Sequence, residues 1–294
     1  MTNDVTLGIK YMLFASLLFA LMGAFAKELS SSMSSLEVVF FRNVFGVALI
    51  LISIYKKPLS QIGGKPWLLI FRGAVGFSAL LFFFYNIANI SLGEAMTFSK
   101  TSTIFTAVFA YIFVKEKLGF KGWIGVFVGF IGILFITKFD GSALDKTDWL
   151  GILSGVGAGL AYTSIRDLRK YYDSRAIVLS FMSIGTIGPI ILMGVSEFYV
   201  NEKYDFIFGS FVMPQSSDWI YIISLGIVAT FAQIYMTKAY SVAKAGIIGT
   251  ISYANIVFSI IIGLFLGDKF PDIWILFGIM LIVISGLLVS SKKD

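Results

Sequence analysis

Apolar residues run through this chain in long blocks, interrupted by short clusters of charged residues, glycine and proline. Ten blocks can be drawn, at about 6–27, 36–55, 67–89, 94–114, 121–138, 149–169, 176–196, 219–240, 246–266 and 272–290. Each is roughly 18–22 residues, the length a helix needs to cross the hydrocarbon core of a bilayer. In lipid every backbone polar group must be satisfied inside the segment, so each block predicts a helix. No stretch is left over for a soluble domain; the longest connection runs from about Glu197 to Asp218. Trp67, Trp123, Trp149, Trp219 and Trp274 fall near predicted span starts, where amphipathic rings favour the membrane interface.

Charge orients these spans. Of the 23 Lys and Arg residues, five (Lys27, Lys138, Lys146, Lys203 and Lys269) lie in one alternate set of segments. Arg42, Arg72 and Lys100 lie within spans, and the other fifteen occupy the opposite set. Basic residues concentrate in cytoplasmic loops, so both termini are placed in the cytoplasm. Acidic residues such as Glu28, Glu37, Glu94, Asp145, Asp205 and Asp268 collect on the external side.

The blocks divide into two sets of five, residues 1–140 and 145–294. Gly8 through Lys27 aligns without gaps to Gly151 through Lys170, matching Ala15 to Ala158, Leu17 to Leu160 and Lys27 to Lys170. Trp67 opens span three as Trp219 opens span eight, and the segment from Val114 corresponds to that from Leu266. A unit of five spans is odd, so the second copy must be inverted relative to the first. Inverted repeats are a device of secondary transporters, which place a central site between the halves. Lys10, the apolar run from Tyr11 and Ala24-Phe25-Ala26 resemble a signal peptide with a cleavage site. The counterpart at 151–170 argues for a retained span.

Composition narrows the function classes. The 294 residues are 57% hydrophobic and 14% charged, with a mean hydropathy of +0.89. Soluble domains carry about a quarter charged residues. There is no cysteine and no histidine, so disulfides and thiolate metal sites are excluded and a proton relay would need carboxylate, tyrosine or lysine. The net charge of +6 is accounted for by the loop bias, which argues against nucleic acid as a partner. Gly63-Gly64-Lys65 lacks phosphate-loop spacing, and HExxH, Gly-x-Ser-x-Gly and Asp-rich metal loops are absent. No cofactor or metal is predicted, and the chain does not read as an enzyme.

Each half closes its fourth span with a long apolar run, an acidic residue and a basic residue, followed by a fifth span with spaced glycines. These are Glu116 with Gly125, Gly129 and Gly132, and Asp268 with Gly278 and Gly286. On these residues the chain resembles the EamA-type members of the drug/metabolite transporter superfamily over nearly its full length. The resemblance implies an all-α membrane protein of ten helices in two inverted repeats, with a cavity among helices 1, 3, 4, 6, 8 and 9. Family members often carry a proline thirteen residues before the acidic residue. Thr103 and Asn255 stand there, with Asp268 where Glu is usual, which argues against a proline kink in spans four and nine.

Thr103 and Asn255 are repeat mates near the middle of their spans, where carriers hold substrate. Interhelical hydrogen bonding, worth about 0.6–2 kcal/mol, is the alternative. Lys100 shares a helix face with Thr103, and Tyr253 lies two residues before Asn255 on another face. Arg42 and Lys100 each lie about six residues inside the outer end of a span, roughly 9 Å deep. An intramembrane cation is a functional candidate by default, suited to a carboxylate or phosphate. Pairing with Glu28, Glu37 or Glu94, or snorkelling outward, is the alternative. Arg72, near the cytoplasmic end of span three, reads as snorkelling. Gln233 in mid-span eight, Tyr85 in span three and Tyr162 in span six complete the substrate-lining candidates; Glu37 and Glu94 are candidate proton carriers. Gly151, Gly155 and Gly159, and Gly125 with Gly129, form small-residue faces for close packing. Gly185, Gly188 and Pro189 mark a bend in span seven.

These readings converge on a permease or exporter in a bacterial inner membrane, moving a small polar metabolite by alternating access. Uptake or exchange of S-adenosylmethionine or a similar cofactor is the alternative within the class. A lipid-acting membrane enzyme or a scramblase is the alternative outside it. The lipid bilayer is the obligate partner, and a homodimer is open.

Overall fold

The computed structural model describes residues 2–60, 62–115, 119–137, 144–199, 204–242 and 251–290. Glu116, Lys138, Lys203 and the first part of predicted span nine lie outside them. Among the described residues the fold is helical, without strands. The helices are α1 (Thr2–Leu29), α2 (Ser35–Lys56), α3 (Pro66–Asn89), α4 (Leu92–Lys100), α5 (Ser102–Val114), α6 (Phe120–Ile136), α7 (Lys146–Leu168), α8 (Ser174–Ser196), α9 (Asp218–Val242), α10 (Ala254–Phe265) and α11 (Ile273–Ser290). Five of them are long and apolar enough to cross a membrane: α1, α2, α3, α8 and α9. Leu51, Ile52, Phe127, Ile187, Ile191 and Val257 are at least half exposed, an apolar exterior that water would penalise and lipid would not.

Local sequence sets the helix ends. Ser34 and Glu37 form a capping box at the start of α2, with the Ser34 amide donating to Glu37 Oε2 at 2.8 Å. Asp145 and Asp148 do the same for α7. At the far end of α2, the Arg175 guanidinium donates to the carbonyls of Ser53 (3.2 Å), Lys57 (2.7 Å) and Pro58 (3.4 Å). It thereby serves the Lys57 and Pro58 carbonyls past the last turn, while the Ser53 carbonyl also accepts from the Lys57 amide.

Helix α1 packs along α9 and α3 along α7; α2 lies on α8 and α6 on α11. Helix α5 packs on α7 and α10 on α1, while α3 touches α8 and α2 touches α9. Exchanging the first five spans for the last five maps this set onto itself: α1–α9 onto α3–α7, α5–α7 onto α1–α10 and α3–α8 onto α2–α9, with α2–α8 and α6–α11 each self-paired. Glycines permit the closest approaches. A Cβ on Gly132 would sit 3.1 Å from the Gly278 carbonyl, and one on Gly278 would sit 2.9 Å from the Gly132 carbonyl. Gly151, Gly155 and Gly159 likewise face Phe98, Thr101 and Phe105.

Spans four and nine are interrupted although neither contains proline. Helix α4 ends at Lys100 and α5 begins at Ser102, across Thr101. In span nine, Ser252 and Tyr253 form a turn before α10. The repeat register makes Thr101 and Tyr253 mates, and the bonds at the two sites match. Ile104 N–H donates to the Thr101 carbonyl at 2.9 Å, and Ile256 N–H to the Tyr253 carbonyl at 2.9 Å. These i→i−3 bonds are 3₁₀ geometry, which inside a helix marks strain or a hinge. Helix α8, in contrast, runs unbroken through Pro189.

Contacts sort the connections onto two ends. On one, Lys27 pairs with Asp268, Lys146 with Asp205, and Val212 N–H donates to Glu37 Oε1 at 2.9 Å. On the other, Lys65 pairs with Asp167, and Ile62 N–H donates to the Tyr171 carbonyl at 3.1 Å. The first group is the set assigned outside from charge, and the second is the set assigned inside.

Candidate functional site

The two interruptions bring part of the sequence-selected set together. Helix α4 lies against α10. Tyr253 is buried, its ring against Gly286, and its hydroxyl has no hydrogen-bond partner among the described residues. Thr103 of α5 approaches that hydroxyl. Asn255 is 2% exposed and donates to the Ser16 carbonyl of α1 at 3.0 Å, an interhelical tie. Lys100 is the last residue of α4, at the carbonyl-rich end of a half-helix that favours a cation. Its ammonium has neither an acidic nor a hydrogen-bonding partner among the described residues.

A second centre lies among α2, α3, α7 and α8. Arg42 and Arg72 are each 7% exposed, and both lie over the Phe181 ring, at 5.8 and 4.6 Å from its centroid. Arg72 therefore turns toward α8 rather than snorkelling to the nearer end. Tyr162 of α7, half-exposed, stands within electrostatic range of both guanidiniums. Among the described residues no carboxylate pairs with either arginine. Nε of Arg42 and both Nε and Nη1 of Arg72 are buried without hydrogen-bond partners. Arginine keeps its proton in proteins. Burying an ion costs several kcal/mol, and a cation–π contact returns about 0.5–2 kcal/mol. Phe181 offsets only part of that cost.

The order of this centre comes from Pro189. Proline has no N–H, so the carbonyl four residues back, that of Gly185, loses its helical donor. Asn43 supplies one, donating Nδ2 to the Gly185 carbonyl at 3.2 Å and to the Val39 carbonyl at 2.8 Å. Its Oδ1 accepts from Arg42 Nη1 at 3.0 Å. Asn43 is fully buried, and the absence of a Cβ at Gly185 lets it approach. The sequence selected Arg42 and overlooked Asn43 and Phe181. The available signal was the proline rule, which demands a donor for Gly185.

The remaining candidates lie elsewhere. Glu37 is fully buried, with one oxygen in the α2 capping box and the other on the Val212 amide. The Tyr85 hydroxyl donates to Asp205 Oδ2 at 3.0 Å, and Lys146 lies over the Tyr85 ring at 5.2 Å. Glu94 sits in the first turn of α4, near Asp148. Burial holds the Asp148 carboxyl above its ordinary range, opposed by the hydrogen bond from the Asp145 backbone, with the charges of Asp145 and Glu94 adding. Gln233 is half-buried in α9.

A clasp closes the end that carries Lys27. The Lys27 ammonium pairs with Asp268 and donates to the Ile90 carbonyl at 3.0 Å. The other Asp268 oxygen accepts from Leu92 N–H at 2.8 Å. One carboxylate thus ties α1, the α3–α4 junction and the segment after α10. A Cβ on Gly263 would meet Asp268 Oδ2 at 2.6 Å, so glycine is needed beside it.

Residues 6–138 and 145–291 both match the model of the EamA-like transporter family. The chain belongs to that family. An "Uncharacterized transporter" of Helicobacter pylori (strain ATCC 700392 / 26695) is 36% identical over 99% of this chain and 96% of its own. The "Pseudopaline exporter CntI" of Pseudomonas aeruginosa (strain UCBPP-PA14) is 29% identical over 97% and 96%. An "S-adenosylmethionine uptake transporter" of Rickettsia conorii (strain ATCC VR-613 / Malish 7) is 24% identical over 91% and 87%. Family membership and the membrane-length helices make this EamA-family chain a multi-pass membrane protein of transport type.

Proposed function

We propose that this chain is a secondary transporter that moves a small polar metabolite across a bacterial inner membrane by alternating access. Residues 1–140 and 145–294 are its two inverted units, and both termini are cytoplasmic. The matched interruptions at Thr101 and Tyr253 carry the reading, because discontinuous spans at a repeat interface are where carriers bind solute and hinge. The exchange symmetry of the helix contacts and the two family matches support the repeat. Lys100, Thr103 and Tyr253 border the interruption and, with Gln233, are assigned to the solute path. The clasp of Lys27 and Asp268 belongs to an outward gate, and the register puts Lys170 and Glu116 at the mate positions for an inward one. Export and S-adenosylmethionine uptake are both represented among the relatives, so both directions belong in the test.

The chain has no cysteine, so single cysteines at Thr103 and Ser252 in proteoliposomes can be probed with a membrane-impermeant thiol reagent. A carrier admits the reagent from each side in turn, and solute changes the ratio. Counterflow should be saturable and trans-stimulated for at least one metabolite of a panel that includes pseudopaline and S-adenosylmethionine. Simultaneous access from both sides with non-saturable flux would establish a channel or scramblase instead.

A further inference from the structure

Arg42 and Arg72 together form a candidate anion site that the solute path around Lys100 does not explain. Both guanidiniums are more than nine-tenths buried, they come from different helices, and they share Phe181 as a platform. The two charges lie within roughly 10 Å of one another and repel at that range. Among the described residues the Nε of each, with Nη1 of Arg72, has no acceptor. Among the described residues the one side-chain hydrogen bond the pair makes is donated by Arg42 to a neutral amide oxygen, that of Asn43, itself fixed by the Val39 and Gly185 carbonyls. A positioned guanidinium with unused N–H groups is the geometry that receives a carboxylate or phosphate through two oxygens. In contrast, Lys65 and Arg175, at the starts of α3 and α8, already hold carboxylates.

We propose that Arg42 and Arg72 form a seat for a doubly charged oxyanion head, a dicarboxylate or a phosphate monoester, on the transported solute. This rests on the carrier reading and names the solute's chemistry. Arg42 is the ordered half, held by Asn43, and Arg72 the adaptable half, its Nε and Nη1 without a partner among the described residues until the anion arrives. Tyr162 borders the seat from α7. A lipid phosphate would satisfy the same donors, so the source must be tested as well as the chemistry.

The test uses the purified full-length chain in phosphatidylcholine nanodiscs and in nanodiscs containing phosphatidylglycerol. Thermal unfolding is followed against succinate, citrate, inorganic phosphate and glycerol 3-phosphate, with succinamide as the neutral control at matched ionic strength. A saturable rise in Tm is expected with at least one dianion and not with succinamide. Arg42→Gln and Arg72→Gln should each weaken that apparent Kd at least tenfold, and Arg72→Lys should weaken it less. In the wild type, the same dianion should protect Arg42 and Arg72 from phenylglyoxal, read by mass spectrometry; this arm does not depend on a variant folding. No stabilisation of the wild type by any of the four anions, or equal modification of both arginines with and without anion, overturns the seat. An arginine-dependent rise confined to phosphatidylglycerol, without added solute, also overturns it by assigning the charges to lipid. Counterflow of the stabilising anion separates the two proposals. Flux that survives in both Gln variants removes the seat and leaves the carrier, whereas wild-type binding with alternating thiol access absent removes the carrier and leaves the seat.

Discussion

Asn43 is the residue whose removal tests most of the packing logic around the arginines. Asn43→Ala deletes the donor to the Gly185 carbonyl and the acceptor for Arg42 at once. The Val39 bond matters less, because that carbonyl keeps its helical partner. An interhelical bond in a membrane protein averages about 0.6 kcal/mol, with values up to about 1.7. Here the Gly185 carbonyl has no backbone donor to fall back on, since Pro189 removed it, so the cost of an unsatisfied buried acceptor, about 1–3 kcal/mol, applies. We expect Asn43→Ala to destabilise by about 1–3 kcal/mol. The decisive measurement is a double-mutant cycle with Pro189→Ala in reversible unfolding from mixed micelles. Restoring an N–H at 189 gives the Gly185 carbonyl its own helical donor, and the Arg42 contribution cancels between the two backgrounds. Asn43→Ala should therefore cost about 1 kcal/mol less beside Ala at 189 than beside proline. Equal costs in the two backgrounds, within about 0.3 kcal/mol, would refute the account of Asn43 as the proline's substitute donor.

Four further outcomes follow from the same contacts. Asp268→Asn should lower stability by about 1–2 kcal/mol, a partly buried pair lying between the surface and buried limits, and should raise thiol labelling of a cysteine placed at Ser91; unchanged labelling would separate the clasp from gating. Gly155→Ala puts a Cβ 2.0 Å from Thr101 Oγ1 and should cost about 1–3 kcal/mol, with Thr101→Ala relieving most of it in the double variant. Arg175→Ala, read by thermal unfolding, should cost about 0.5–1.5 kcal/mol, because the exposed Ser53 and Lys57 carbonyls can turn to water, and Arg175→Lys should recover only part of this. Asp167→Asn removes the carboxylate that pairs with Lys65, and at this solvent-screened site the change in Tm at pH 7 should be small and should shrink further as ionic strength rises.

Period and charge made the helices, their order and the two-ended sorting of the loops legible in the sequence. Lipid imposes long apolar spans, and those leave a signal in composition alone. The interruptions were not legible. Absence of proline at Thr103 and Asn255 speaks only against a proline kink, and the breaks fall two residues earlier, at Thr101 and Tyr253. A helix can also be broken by what it packs against: Thr101 lies across Gly155, and Tyr253 across Gly286. Those glycines were visible, but a small-residue stripe does not say which residue will press into it. Arg72 was misplaced for a related reason. Distance from a span end ranks snorkelling, but rotation about the helix decides it, and Gly73 and Gly76 hold that face of α3 against Ile184 and Phe181 of α8. In a chain so uniformly apolar, depth is written in the sequence and azimuth is not. The few polar side chains fix azimuth by finding one another. Asn43 does so through the gap left by Pro189, which couples the helix carrying Arg42 to the helix carrying Phe181. A rigid-body movement of either half that shifts α8 against α2 must then break the Gly185 bond or carry Asn43 with it. In both cases the Arg42 guanidinium moves with the amide that holds it.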